Sequence, residues 1–357
     1  MKLVCTILFL CTIVFLSCTT EQSPSMSKTL HVSIPANMKL LNLDIMGEKV
    51  FGLAHNDSAN MLEYVEFSYS HEQVSLKNKF LPFTRGEYDW STLYPTQITA
   101  LNDSIILVVL DNKQICMIDI NQMKMDENTL PDLFNNVEYD YEFVKDQSPT
   151  FIDDKMYFMY CPVIKGKEAS REYFSNVKPI GVYDIDNGSL SCVSFSFPDR
   201  YLNDYYYDYF PYLTSNDTSI YISFGVSDSV YILSQNGIVE SYLASGDALD
   251  SFKPISHDES EDLSLLKPYL FQQPRYTEII FDKYRNWTYR VLRFGIGKDI
   301  KWHLLIFDTD FEKLYEFEYF SSEYNQIVIP YEDGILFFKT NVQNKHVKSI
   351  DFSFMKI

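Results

Sequence analysis

The sequence predicts an all-β chain folded as a six-bladed β-propeller whose last blade is closed by an N-terminal strand. Three observations carry this. A unit of four β-rich segments recurs along the chain. Tight polar turns separate the first segment of each unit from the second. The final unit stops one strand short, while a lone strand stands near the N-terminus. Repeats of about 40–50 residues with four strands each mark a propeller. All-β folds of roughly 330 residues often form one domain, although a pair of packed β-domains would use the same segments.

The units are justified in order. A looser first copy spans residues 38–80, "MKLLNLDIMGEKVFGLAHN" followed by "MLEYVEFSYS" and "QVSLKNKF". The second begins at Thr96, "TQITALNDSIILVVLDNKQICMIDI". The third begins at Pro149, "PTFIDDKMYFMYC", and resumes after an insertion as "IGVYDIDNGSLSCVSFSF". The fourth is "FPYLTSNDTSIYISFGVSDSVYILSQNGIVESYL" from Phe210. The fifth opens "YTEIIFDKYRNWTYRVLRFG" from Tyr276, and the sixth starts at Asn325 and ends after three strands. Asn102-Asp103, Asp153-Asp154, Asn216-Asp217 and Glu332-Asp333-Gly334 form tight turns, since Asn, Asp and Gly accept the positive φ that short hairpins need. The lone strand "TLHVSIPA", Thr29–Ala36, supplies the missing fourth strand and removes an exposed edge. Helix is confined to insertions, around "KEASREYF" and "SLLKPYLF".

The N-terminus reads as an address. Lys2 precedes an apolar run from Leu3 to Leu16, then Ser17 and Cys18. A charged n-region, a short h-region and a small residue at the cut make a secretory signal over residues 1–17. The run is too short for a membrane helix, which needs about 20 apolar residues. A cut directly before Cys18 is where bacterial lipoproteins receive their lipid, with Phe15 standing where that box usually has Leu. Residues 18–28 form a flexible tether after the lipidated cysteine, and residues 29–357 a single propeller. The expected location is the bacterial envelope, outer membrane foremost, with the N-terminal lipid as anchor.

The chain carries 30 Lys+Arg and 49 Asp+Glu, a formal net charge of −19, which repels phosphate backbones and excludes nucleic acid as a partner. Cys116, Cys161 and Cys192 lie in apolar strand-like runs without a C-x-x-C pair, so they read as buried small hydrophobes, and a Cys161–Cys192 bridge stays open. The six histidines are scattered without metal-ligand spacing, so no cofactor is expected. Calcium is the one open metal, at the acidic loop "HDESED" (257–262) or at Asp204/Asp208, although neither follows the D-x-D-x-D-G pattern. "GIGKD" (295–299) is a hairpin loop, not a phosphate loop.

The lipoprotein start, the repeat and "YTEIIFDKYRNWTYR" together resemble the six-bladed β-propeller lipoproteins of gut Bacteroidetes, including a family known as a domain of unknown function. The resemblance implies architecture and an envelope location, and no particular activity.

Propeller geometry then sorts the loops. Connections from the fourth strand to the next blade, and from the second strand to the third, leave one face. Residues 81–95, 131–149, 162–179, 198–210 and 244–275 are the long insertions, and all fall in that class. Long loops gathered on one rim mark a site. Its expected ligand-binding residues are Arg85, Tyr88, Trp90, Tyr139, Tyr141, Arg171, Tyr205, Tyr207, Arg275, Tyr276 and Arg293. Tyrosine faces beside hydroxyls and charges suit sugar rings and protein hot spots. Arg290, by contrast, is expected to be structural, a clamp between blades, because a buried arginine needs a carboxylate or carbonyl partner.

These features favour a lipid-anchored binding protein whose rim takes a glycan, peptide or envelope protein. A polysaccharide hydrolase or lyase would need a carboxylate pair, such as Glu87/Asp89, Asp140/Glu142 or Asp204/Asp208, and no nucleophile motif supports one. A structural subunit of an envelope assembly is the third alternative.

Overall fold

The structure, a computed structural model, describes residues 26–46, 49–56, 58, 61–70, 73–81, 95–101, 104–110, 114–122, 124–129, 139–141, 149–160, 162–164, 171–202, 205–206, 209–247, 252–295, 300–320, 324–339 and 349–357. Its strands form six four-stranded antiparallel sheets arranged as the blades of a propeller. Blade one holds Met38–Met46, Lys49–Asn56, Met61–Ser70 and Gln73–Phe80. Blade two holds Pro95–Ala100, Ile105–Leu110, Gln114–Asp119 and Lys124–Thr129, and blade three Thr150–Ile152, Lys155–Met159, Ile180–Asp184 and Ser189–Cys192. Blade four runs over Pro211–Ser215, Ser219–Phe224, Ser229–Ser234 and Val239–Leu243, and blade five over Arg275–Asp282, Trp287–Phe294, Lys301–Phe307 and Lys313–Phe320. Blade six takes Tyr324–Tyr331, Gly334–Lys339 and Ser349–Lys356 from the C-terminal region and Met26–Ser33 from the N-terminal one.

Both faces of most inner strands are buried, which explains why these strands read as continuous apolar runs rather than strict alternations. In blade one Phe51 and Leu53 pack toward blade two, against Ile98, Ile106 and Val108. Val50 and Ala54, pointing the other way, pack toward blade six, against Ile329, Leu336 and Phe352. Blades two and three meet through Leu107, Ile115, Met156 and Phe158, and blades five and six through Tyr289, Val291, Ile306, Val328 and Phe337. Each seam buries several large side chains, each contributing about 1.5–3 kcal/mol by transfer alone. Period-two alternation therefore decides which neighbour a residue serves.

The closing pair is antiparallel, with Thr29 opposite Ser353 and Ser33 opposite Ser349. His31 Nδ1 lies 2.6 Å from Asp351 Oδ1 across it, and Lys339 Nζ donates to Thr29 Oγ1 at 2.9 Å.

The turns hold one surprise. Among the described residues only Asp153 (φ 52), Asn286 (φ 56) and Phe311 (φ 62) are non-glycine residues with positive φ. Elsewhere the turn Asp or Asn works as a side-chain acceptor. Asn216 Oδ1 takes the N–H groups of Thr218 at 3.0 Å and Ser219 at 2.8 Å, and Asp308 Oδ1 those of Asp310 and Glu312 at 3.0 and 2.8 Å. The side chain thus mimics a backbone turn. At Gly334 the requirement is space, since a Cβ would stand 2.1 Å from the Met355 carbonyl oxygen.

Short helices lie in the insertions: α1 (Arg171–Asn176), α2 (His257–Glu261) and α3 (Leu263–Gln272). Here the "HDESED" expectation is corrected, because the segment is a helical turn and not an acidic loop. Ser256 and Glu259 form a reciprocal capping box, and Asp262 caps α3 through Ser264 N at 2.8 Å. Cys116 and Cys192 carry free thiols, while Cys161 lies outside the described residues.

Candidate functional site

The connections separate the two faces as topology requires. Two residues join the first pair of strands in blades three and six, three in blade four and four in blade five, all on one face. The long insertions leave from the other. In blades four and five three of its connections converge: the 3-10 turn Asp199–Leu202, the 225–228 link and the 244–275 insertion.

At the convergence Arg290 is completely buried. Its strand runs next to Arg275–Asp282, and its side chain points away from blade six toward blade four. Nε and Nη2 donate to Ser223 Oγ at 3.2 and 2.9 Å, Nη2 to the Ser227 carbonyl at 2.9 Å, and Nη1 to the Ala244 carbonyl at 2.5 Å. The guanidinium stacks on Tyr276 at 3.4 Å from the ring centroid. Burial pushes its pKa down to about 10, partly offset by Tyr276 and Asp228, so the group stays charged at neutral pH. Tyr276 is itself buried, and burial raises its phenol. Its hydroxyl lies near Asp228 and the Gly246 backbone.

Above this buried pair sits a half-exposed one. Arg200 Nη1 donates to the Val226 carbonyl at 2.5 Å, and Nη2 lies 3.8 Å from Asp228 Oδ2. The Arg200 guanidinium also lies 5.3 Å from the centre of the Phe252 ring. Their side chains remain 38% and 36% exposed, so a donor and an acceptor are offered together at the rim.

The 244–275 insertion is tied to blade five by a charged network. Glu316 Oε2 accepts the Asp247 N–H at 3.0 Å and Lys313 Nζ at 2.9 Å, while Oε1 lies 2.9 Å from His303 Nδ1. Burial alone would raise the Glu316 pKa, but the hydrogen bonds from Asp247, Lys313 and His303 outweigh it and hold it below the ordinary 4.5. A carboxylate lowered by folding stabilises fully above its unfolded pKa and loses that contribution as pH falls through the folded one. Glu316→Gln should therefore accelerate amide exchange at Gly246 and Asp247 at neutral pH, by roughly tenfold for a loss of about 1.4 kcal/mol. In the wild type the same loosening should begin only below pH 4.5. Unchanged exchange in the variant would remove Glu316 as the loop's anchor.

The structure places the sequence-derived site residues unevenly. Arg85, Tyr88, Trp90, Tyr207 and Cys18 lie outside the described residues, as do Glu87, Asp89, Glu142, Asp204 and Asp208. Tyr139 and Tyr141 lie on a short strand paired with Pro162–Ile164, Arg171 opens α1, and Tyr205 pairs with Ser256. Arg275 and Arg293 are cross-strand partners, with Arg293 buried and Arg275 partly so. Tyr276 and Arg293 thus support the rim from beneath instead of forming its surface. Sequence reasoning passed over Arg200, Asp228 and Phe252. Only the position of Arg200 and Phe252 in long insertions pointed toward them. Among the described residues no group of three His, Cys, Asp or Glu is placed to hold a metal ion. A separate polar groove of about 230 Å³ lies between blades three and four on the short-turn side, lined by Lys155, Tyr157, Asp184, Ser191 and Gln235 among others.

Comparison with known proteins agrees with this architecture. The model of a family described as "Domain of unknown function (DUF4221)" matches residues 91–318. The crystal structure of a DUF4221 family member from Bacteroides vulgatus ATCC 8482 is similar, with a TM-score of 0.69 at 17% identity over 94% of this chain and 98% of that one. A chain of a mitotic checkpoint complex (TM-score 0.46, 8% identity, 95% and 94% covered) and a prolyl endopeptidase (0.45, 9%, 90% and 50%) are too distant to carry an argument. Among curated proteins nothing matches the chain. No helix among the described residues is long and apolar enough to cross a membrane.

Proposed function

The chain belongs to the DUF4221 family, and from that footing we propose that it is a lipid-anchored binding protein of the bacterial envelope, displaying a glycan, peptide or protein site on its long-loop rim. The observation that carries this is the gathering of all five long insertions on one face, with Arg200, Asp228 and Phe252 meeting there over the buried Arg290–Tyr276 stack. A guanidinium and a carboxylate side by side match a ligand that both accepts and donates hydrogen bonds, and the buried Phe252 ring backs the guanidinium from beneath. The buried stack fixes this geometry in advance, which lowers the ordering cost of binding. Cys18 carries the lipid, and the apolar run before it directs export.

A glycan-and-peptide array probed with the signal-less chain tests the proposal, with products examined by mass spectrometry. Binding without turnover is expected, and cleaved polysaccharide would replace it with a hydrolase or lyase. Against the ligand so found, Arg200→Ala should weaken affinity at least tenfold, about 1.4 kcal/mol, while leaving the urea unfolding midpoint nearly unchanged. Unchanged affinity by calorimetry would move the site away from blades four and five.

A further inference from the structure

The closing strand fixes the face at which the chain enters the ring. Met26 pairs with Met355, and Ile335 pairs with Met355 on the other side. Ile335 lies two residues beyond Asp333 in the short turn between the first two strands of blade six. The strand Met26–Ser33 therefore starts at the short-turn face and runs toward the long-loop face, where residues 34–37 lead into blade one. The chain enters the ring at the edge of the short-turn face. We infer that the short-turn face is the membrane-proximal side and that the long-loop rim is presented away from the bilayer, toward partners in the aqueous phase. This rests on the lipid anchor at Cys18 proposed above.

Lengths decide the matter. Cys18 stands eight residues before Met26. Eight residues reach about 26–29 Å when fully extended, but span only about 14–17 Å as a flexible chain. An eight-residue strand is itself about 26 Å long. Turning the rim toward the lipid would require the tether to run the whole height of a blade at nearly full extension. The short-turn-down orientation needs no extension. The proximal face also carries exposed Asp153, Asp154, Asp186, Asp217, Asp310 and Asp333, against fewer exposed lysines such as Lys155 and Lys283. Anionic headgroups within about a Debye length, roughly 8 Å, repel such a surface. The propeller thus stands off the bilayer on its tether and does not lie flush on it.

The test uses the full lipidated chain in vesicles whose headgroups carry an energy acceptor. A fluorescent unnatural residue is placed at Asp217 or Asp333 on the short-turn face, or at Lys253 or Lys267 on the long-loop side, all four exposed. Transfer from Asp217 and Asp333 should exceed transfer from Lys253 and Lys267, and about 16 flexible residues inserted after Cys18 should erase the difference by letting the ring tumble. Flotation with the vesicles, lost in Cys18→Ala, reports the anchor separately. A wild-type chain that fails to float overturns the anchor and the orientation together. A chain that floats with equal or reversed transfer overturns the orientation alone.

Discussion

Arg290→Ala should cost about 3–5 kcal/mol of unfolding free energy, because it leaves several buried acceptors unpaired at once. The arginine joins blade five to blade four through Ser223, Ser227 and Ala244, and all three lie beyond the reach of water. Truncation strands two carbonyls and a hydroxyl, each costing about 1–3 kcal/mol when left unpaired. It also removes the surface on which Tyr276 stacks. Arg290→Lys should recover little, because an ammonium lacks the planar fork that serves Ser223, Ser227 and Ala244 together. Arg290→Met separates volume from hydrogen bonding, since it fills most of the space and donates nothing. Urea denaturation should rank the wild type above Arg290→Met, with Arg290→Ala lowest. A methionine variant as stable as wild type would show that packing alone, and not the donated hydrogen bonds, holds the blades together.

Asp282→Ala should be nearly as severe, again about 3–5 kcal/mol, because it leaves a largely buried cation without its fully buried counter-charge. Asp282 is fully buried at the end of the first strand of blade five. Its Oδ1 accepts the Tyr284 N–H at 2.9 Å, and its Oδ2 accepts Arg285 Nη1 at 2.7 Å and the Tyr289 hydroxyl. Arg285 in turn donates to the Tyr331 and Glu332 carbonyls of blade six at 2.9 and 2.8 Å. One carboxylate therefore shapes the turn and orients the clamp to the next blade. Asp282→Asn keeps the acceptor for Tyr284 and loses the charge, so a smaller loss of about 1–2 kcal/mol is expected. Equal losses in the two variants would mean that the charge contributes nothing beyond the turn.

The stretch from Tyr276 to Gly295 shows how far sequence carries. Its strands, its tight turn and the opposite facings of Tyr289 and Arg290 follow from period two and from Asp282–Asn286. The role of Arg285 does not. It stands in an exposed-looking turn, and its carbonyl partners lie 46 and 47 residues away. Arg200 and Asp228 are similarly separated, and nothing local marks either as the other's partner. "HDESED" failed for a different reason. Its acidic composition concealed a capping box, whose signature is Ser256 followed by Glu259 three residues later.

Sequence alone determined the number of blades, the closure by the first strand and the face that bears the long insertions, because each is written in local patterns of alternation, turn chemistry and spacing. Tertiary structure alone decided which groups receive the Arg290 clamp and that Arg200 is a cation reaching the rim. Period two tells that Arg290 and Tyr289 face opposite seams, but the hydroxyl and carbonyls awaiting Arg290 belong to a neighbouring blade, and only the packed ring brings them within 3 Å.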